Sequence, residues 1–255
     1  MKKVFAMILV LSMVFSCAAM AETFKMGFDA EYPPYSFVGD DGNYTGFDIE
    51  MCEKVCAILG WDMEYVPINW DAKLLDLDAK NIDCIWSGLT LNVLDGAKYT
   101  LSFAYSDSTQ MILTRKDSGI QSFDDLAGKV VGVQLATSAD ILLSGDMADF
   151  AATFGELIRF ENYNVCFTEL MAGSIDAIAI DVGVAAKKIQ DYGDDYVMLE
   201  EAWASEQYGI CFRLEDAEMC KAVEGAFMQL VEDGTYKALA EKYELDLENL
   251  CLLAD

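Results

Sequence analysis

The chain has 255 residues, and its 44 acidic residues outnumber the 17 basic ones, for a formal net charge of −27. Nucleic acid is excluded as a partner, because phosphate binding relies on Lys and Arg to release counterions, and an anionic membrane surface repels such a chain. Apolar residues make up 54% of the sequence, enough for the core of one large domain or two modest ones.

Lys2 and Lys3 precede an apolar run, Val4 to Phe15, that is too short to span a bilayer and has the form of a secretory signal. Two processing sites compete. Ala19-Met20-Ala21 is a small-x-small site that makes residues 1–21 a signal peptide and leaves Glu22 as the new terminus. Val14-Phe15-Ser16-Cys17 is a loose lipobox, with Phe15 as its weak point, and leaves a lipid anchor on Cys17. Either product is exported across the cytoplasmic membrane, to the periplasm or the cell surface.

Alternating strands and helices follow. A strand at Phe24 to Phe28 breaks at Tyr32-Pro33-Pro34-Tyr35 and leads into a helix from about Phe47, where Phe47, Met51, Cys52, Val55, Cys56 and Leu59 recur with helical period. Cys52 and Cys56 share that apolar stripe. The chain has no His, so the pair reads as small buried hydrophobes, and no metal is expected. Seven cysteines lie beyond Cys17, an odd number that cannot all pair within one chain. A second strand, Met63 to Pro67, a helix around Ala72 to Ala79, and the run Asn81 to Gly88 close this first unit.

A second unit repeats the plan. Ser122 and Asp125 form a capping box, Lys129 to Val133 a strand, and Ala136-Thr137-Ser138 a turn into a helix. The helical run Phe167 to Ala172 then precedes Ser174 to Asp181, whose Ile-Asp-x-Ile echoes the close of the first unit. Beyond these lie a strand near Tyr208 to Phe212, a helix from Ala217 to Glu232 stopped by Gly234, and a short helix marked by Tyr236, Leu239, Ala240 and Tyr243. The alternation makes the chain α/β, with two lobes joined by short crossover strands. Open α/β sheets place ligands beyond the carboxyl ends of their strands. Here that rule selects Asp29, the Ser87 to Thr90 segment, the Thr137-Ser138 turn and Asp181.

The same points carry a family resemblance. Gly27 to Phe37 with Gly46-Phe47-Asp48-Ile49-Glu50, then Ser87-Gly88-Leu89-Thr90, Phe123 to Gln134, Ile175 to Asp181, Tyr208 to Arg213 and Asp233-Gly234-Thr235-Tyr236 occur in order. Together they resemble the family 3 extracellular solute-binding proteins of ABC transporters, which bind polar amino acids. The resemblance implies a two-lobed type II periplasmic-binding fold, each lobe a mixed sheet flanked by helices, with the ligand cleft between them. Lobe 1 would be discontinuous, residues 22–112 plus 204–255, and lobe 2 would be residues 113–203. It implies a monomer without cofactor that closes on a small ligand, an amino acid or related amine, and hands it to an ABC permease.

It also implies roles. Asp29 and Tyr32 would line the side-chain end of the ligand, and Trp70 would form an aromatic wall. Ser87, Gly88 and Thr90 would receive the ligand's ammonium and carboxylate. Thr137 and Ser138 would hold the carboxylate, and Asp181 would pair with the ammonium. Trp86 is left open between a third wall and a packing role, and Glu31 and Asp48 read as surface charges.

One position departs from the pattern. The family's Arg, five residues after the strand-end Thr, would fork onto the ligand's carboxylate; here that position is Asp95, and Lys98 is the neighbouring cation. A Lys cannot copy a bidentate fork. A carboxylate facing a carboxylate costs on the order of several kcal/mol, so Asp95 at the site would favour a cationic amine lacking a free carboxylate. The other reading turns Asp95 to solvent and leaves Lys98 or the Thr137 turn to hold an ordinary amino acid.

Two rival functions remain. Without His, the Ser-His and Cys-His pairings of hydrolases are impossible, so no enzyme is expected, although a few relatives of this fold are dehydratases. A ligand-sensing input protein is the other rival; such modules usually continue into a membrane span, which favours a separate carrier here.

Overall fold

A computed structural model describes residues 22–253, so the signal segment and the Cys17 anchor lie outside the described residues. The first half runs β1 (Thr23–Phe28), a ribbon of β2 (Glu31–Tyr32), β3 (Ser36–Val38) and β4 (Tyr44–Thr45), α1 (Phe47–Leu59), β5 (Asp62–Pro67), α2 (Lys73–Asp78), β6 (Cys84–Thr90) and β7 (Tyr99–Leu101). The strand β8 (Ser106–Arg115) crosses to the second half. There follow β9 (Val130–Gln134), α3 (Ser138–Ser144), α4 (Ala148–Ala151), β10 (Glu156–Phe160), α5 (Tyr163–Ala172), β11 (Ala177–Asp181), α6 (Val182–Tyr192) and β12 (Tyr196–Met198). The strand β13 (Ala204–Arg213) returns, and α7 (Ala217–Glu232) and α8 (Thr235–Lys242) finish the first half.

The main sheet has the order β10-β9-β11-β8-β13-β6-β1-β5. β1 lies parallel between β5 and β6, and β9 lies parallel between β10 and β11. Each half therefore has its own parallel core, and β8 and β13 join them. The two crossovers pair with each other, Ser106 to Gln110 against Tyr208 to Ala204, and then part. Beyond Gln110, β8 continues along β11; beyond Tyr208, β13 continues along β6. Gln110 and Tyr208 thus stand where the halves diverge.

The apolar patterns explain the layers. On α1, Phe47, Met51, Cys52, Val55 and Cys56 are buried, and α7 buries Cys220, Val223, Ala226, Phe227 and Leu230 beside them. Burying each of the larger side chains is worth about 1.5–3 kcal/mol. Trp86 stacks on Phe227 with ring centroids 5.8 Å apart, so it packs between sheet and helix and is not a ligand wall. The second half closes over Ile112, Leu126, Val131, Val133, Leu143, Ala177 and Ala179. The expected capping box is present, with Ser122 and Asp125 framing a short 3-10 turn.

Six of the described cysteines are buried free thiols, and Cys251 is free and exposed. Burial pushes the Cys52 and Cys84 thiols well above their ordinary value, which keeps them protonated and poor metal ligands.

Candidate functional site

The carboxyl ends of β1, β6, β9 and β11 converge on one narrow cavity between the halves. Nine of the ten sequence-selected residues line it: Asp29, Tyr32, Trp70, Ser87, Gly88, Thr90, Thr137, Ser138 and Asp181. Asp95 does not. Its side chain is exposed, accepts a hydrogen bond from the Ala97 N–H at 2.9 Å, and pairs with Lys98 at 3.6 Å. Serving its own turn, Asp95 points to solvent, and the expectation that it faces the ligand is corrected accordingly.

Asp29 follows β1 directly. Its Oδ1 accepts from the Glu31 N–H at 2.8 Å, and its Oδ2 accepts from Gln134 Nε2 at 2.7 Å across the cleft. Burial raises its pKa, opposed by these two hydrogen bonds. Ser36 Oγ donates to the Asp29 carbonyl at 2.8 Å and lies 2.5 Å from Ser87 Oγ, tying the ends of β1 and β6 together. Gly88 cannot carry a side chain: its φ is +51°, and a Cβ there would fall 2.5 Å from Tyr32 Cε1.

Asp48 corrects a second expectation. It is fully buried, not a surface charge. Its Oδ2 accepts from the Gly88 N–H at 2.7 Å and from the Tyr105 hydroxyl at 2.8 Å, which fixes the end of β6 from behind. Burial pushes its pKa up to about 7 against those two donors. Glu31, half-buried, accepts from Asn164 Nδ2 of the other half at 3.0 Å.

Lys73, which sequence reasoning missed, is the single basic residue among those lining the cavity. Its Nζ lies 4.7 Å from the centre of the Trp70 ring and donates to the carbonyls of Trp70 at 3.1 Å and Ala136 at 2.7 Å. Burial lowers its pKa to about 8. Ala136 holds a left-handed φ of 59°, and its N–H donates to Asp140, which the Arg159 guanidinium grips at 2.6 Å. That brace aims the Ala136 carbonyl at Lys73. Thr137 caps α3, accepting from the Asp140 N–H.

Asp181, at the end of β11, accepts from the Tyr208 hydroxyl and from Gln110 Nε2, both at 2.7 Å. Tyr208 in turn accepts from Ser108 Oγ at 2.8 Å and lies 3.0 Å from the Tyr32 hydroxyl. Gln110 Nε2 also donates to Ser138 Oγ at 3.0 Å and to Glu206 Oε1 at 2.7 Å. Gln110, Gln134, Glu206 and Tyr208 were not selected from the sequence; their places near the divergence of β8 and β13, or opposite Asp29, depend on pairings that no local motif announces. The cavity thus offers carboxylates from both halves, one ammonium, hydroxyls and aromatic walls, a set suited to a small zwitterion or cation.

A family model of the bacterial extracellular solute-binding proteins, family 3, matches residues 24–246. The L-cystine-binding protein TcyJ of Escherichia coli strain K12 is 31% identical over 223 residues, covering 87% of this chain and 82% of that protein. A crystal structure of an ABC uptake transporter substrate-binding protein from Streptococcus pneumoniae with bound histidine superimposes with a TM-score of 0.83 at 28% identity, covering 87% of this chain and 92% of the other. An ancestral amino acid-binding protein, AncCDT-1, a precursor of cyclohexadienyl dehydratase, has a TM-score of 0.79 at 32% identity, covering 87% and 95%. Together with the two-part sheet and the cavity at its strand ends, these likenesses place the chain in the bacterial extracellular solute-binding proteins of family 3.

Proposed function

We propose that this solute-binding protein captures a free α-amino acid outside the cytoplasmic membrane and delivers it to an ABC importer. One observation carries the reading: Asp29 and Asp181, from opposite halves, line one cavity that also contains the Lys73 ammonium. In this reading Asp181 takes the ligand's ammonium, and Lys73 takes its carboxylate with the one N–H not given to Trp70 or Ala136. Ser87, Gly88, Thr90, Thr137 and Ser138 surround the backbone end of the ligand. Asp29, Tyr32 and Trp70 face its side chain.

The solvent-facing position of Asp95 favours an ordinary amino acid over an amine without a carboxylate, because the like-charge penalty argued from that residue does not reach the cavity. Relatives that bind L-cystine or hold histidine support the same class. The protein binds and releases its ligand without chemistry; the dehydratase descended from a similar ancestor argues only that this fold can acquire catalysis. It works as a monomer, with lobes at 22–112 plus 204–255 and 113–203 hinged at β8 and β13. Export leaves it either free after cleavage at Ala21 or anchored at Cys17. Among the described residues no helix is long and apolar enough to cross a membrane.

A thermal-shift screen tests the reading. A panel of amino acids, including L-cystine, L-arginine and L-histidine, is run beside polyamines and decarboxylated analogues. A ligand at about a hundred times its Kd adds roughly 2.7 kcal/mol of stability. Stabilisation by an amino acid, and less by its decarboxylated form, supports the proposal. Stabilisation by amines alone, or by nothing in the panel, sinks it.

A further inference from the structure

Behind Asp181 lies a second buried carboxylate for which amino-acid capture, as described so far, has no use. Glu206 sits on β13, only 4% exposed, against Gln110. Donors are scarce there. The Gln110 amide nitrogen has two hydrogens for Asp181 Oδ1, Glu206 Oε1 and Ser138 Oγ, all within 3.0 Å, and the Ser138 hydroxyl adds one hydrogen toward Glu206. The Tyr208 hydroxyl supplies one further hydrogen, to Asp181. The other titratable groups facing the pair are the phenols of Tyr32, Tyr35 and Tyr163, and among the described residues neither carboxylate has a Lys or Arg within ion-pair distance.

On the cavity side, Gln134 Oε1 is buried and accepts no hydrogen bond, although its residue lines the same space as Asp181. Two carboxylates and an unmatched amide oxygen leave a surplus of acceptors, and an entering cationic donor fits that surplus.

We propose that Glu206 is a positioning residue that holds a proton toward Asp181, and that an ammonium group arriving at Asp181 displaces this proton, coupling ligand capture to proton release. The exchange balances: the ligand enters as R–NH3+, the Glu206 O–H bond breaks, and the proton leaves to buffer. At the Asp181–Glu206 end the ammonium's charge replaces the proton's, which avoids adding a whole charge to that desolvated pair, while the ligand's carboxylate is met separately by Lys73. Burial, and then the neighbouring Asp181, push the Glu206 carboxyl up to about 8, consistent with a proton present near neutrality. Capture then tightens with rising pH and loosens in acid. The inference rests on the proposed role of Asp181 as the ammonium site.

Calorimetric titration of the wild-type protein with L-cystine, L-arginine and L-histidine, in phosphate and in Tris, measures protons released per molecule bound. The expected release approaches one proton at or just below neutral pH, and Kd falls by up to about tenfold per pH unit between roughly 6 and 7, levelling off toward 8, where unliganded Glu206 is already losing its proton and Lys73 its charge. In Glu206→Gln, which keeps the shape but not the proton, both effects vanish while binding persists. Binding by the wild type with no proton exchanged, or an unchanged pH slope in Glu206→Gln, overturns the proposal. A second measurement needs no ligand: the 13C carboxyl resonance of Glu206, identified by its loss in the variant, is followed through a pH titration. A midpoint in the ordinary glutamate range overturns the proposal even if none of the three probes binds. A raised midpoint without binding upholds the proton on Glu206 and counts against the amino-acid reading instead.

Discussion

The ammonium of Lys73 lies between one carbonyl from each half, that of Trp70 and that of Ala136, and so joins the halves where it also meets the cavity. Replacing it with Met keeps the apolar stem over Trp70 and removes the charge. A charge-assisted hydrogen bond contributes about 1.5–3 kcal/mol, so Lys73→Met should weaken a bound amino acid by roughly ten- to a hundredfold. Its decarboxylated analogue should lose far less; equal losses for both would detach Lys73 from the carboxylate. Asp48 makes a different prediction, in stability. Its folded-state pKa of about 7 exceeds the ordinary aspartate value of about 3.9, so the native state binds more protons and stability falls as pH rises between the two. In Asp48→Asn that part of the slope is absent, and denaturant unfolding at about pH 5 and about pH 7.5 compares the two proteins. A slope as steep in the variant as in the wild type would mean that Asp48 is ionised throughout. Neither residue was legible in the sequence. Lys73 stands among Lys73-Leu74-Leu75-Asp76, and Asp48 in the first turn of a helix, positions where charges usually meet water; only the tertiary fold covers them.

At the scale of elements, legibility followed periodicity. α7 spans Ala217–Glu232, the bounds read from its apolar stripe, and the ends of β1, β6 and β11 fall where the ligand residues were sought. β8 escaped because its inward positions begin with Ser106, Ser108 and Gln110, so a buried face reads as polar. Those polar residues are there because the crossover strands border the site, and Ser108 and Gln110 orient Tyr208 and Asp181. α6 escaped for another reason: it starts at Val182, directly after β11, with no capping hydrogen bond from Asp181 to mark the boundary. The end of β6 gives the test at this scale. Gly88→Ala must place a Cβ against Tyr32 in a left-handed backbone, and the loss should be about 1–3 kcal/mol in denaturant unfolding. Because Gly88 also donates to Asp48, the displaced strand end should weaken ligand binding as well. Unchanged stability in Gly88→Ala would mean that this turn is looser than its hydrogen bonds require.

For the whole molecule, two features pull against each other. The halves are drawn together across the cleft by Asp29 with Gln134, Lys73 with Ala136 and Glu31 with Asn164. Against this stands a net charge of −27, which any compact arrangement concentrates. Several of the ion pairs join residues three or four apart on exposed helix surface, such as Lys221 with Glu218 and Lys237 with Glu241, and contribute little each. Repulsion should therefore outweigh surface pairing. Salt shortens the screening length from about 30 Å at 0.01 M to about 8 Å at 0.15 M, enough to decouple opposite faces of the protein. Raising NaCl across that range should stabilise the fold by on the order of 1–2 kcal/mol, a rise in Tm of roughly 2–8 °C for a chain of this size. The increment added by a saturating amino acid should change less, because the contacts proposed for it, at Asp181 and Lys73, involve buried groups that salt screens poorly. A Tm that stays flat or falls with NaCl would show that local ion pairs, not the acidic excess, dominate the electrostatics of the fold. A ligand increment that disappears with salt would move the binding contacts out of the cleft and onto the surface.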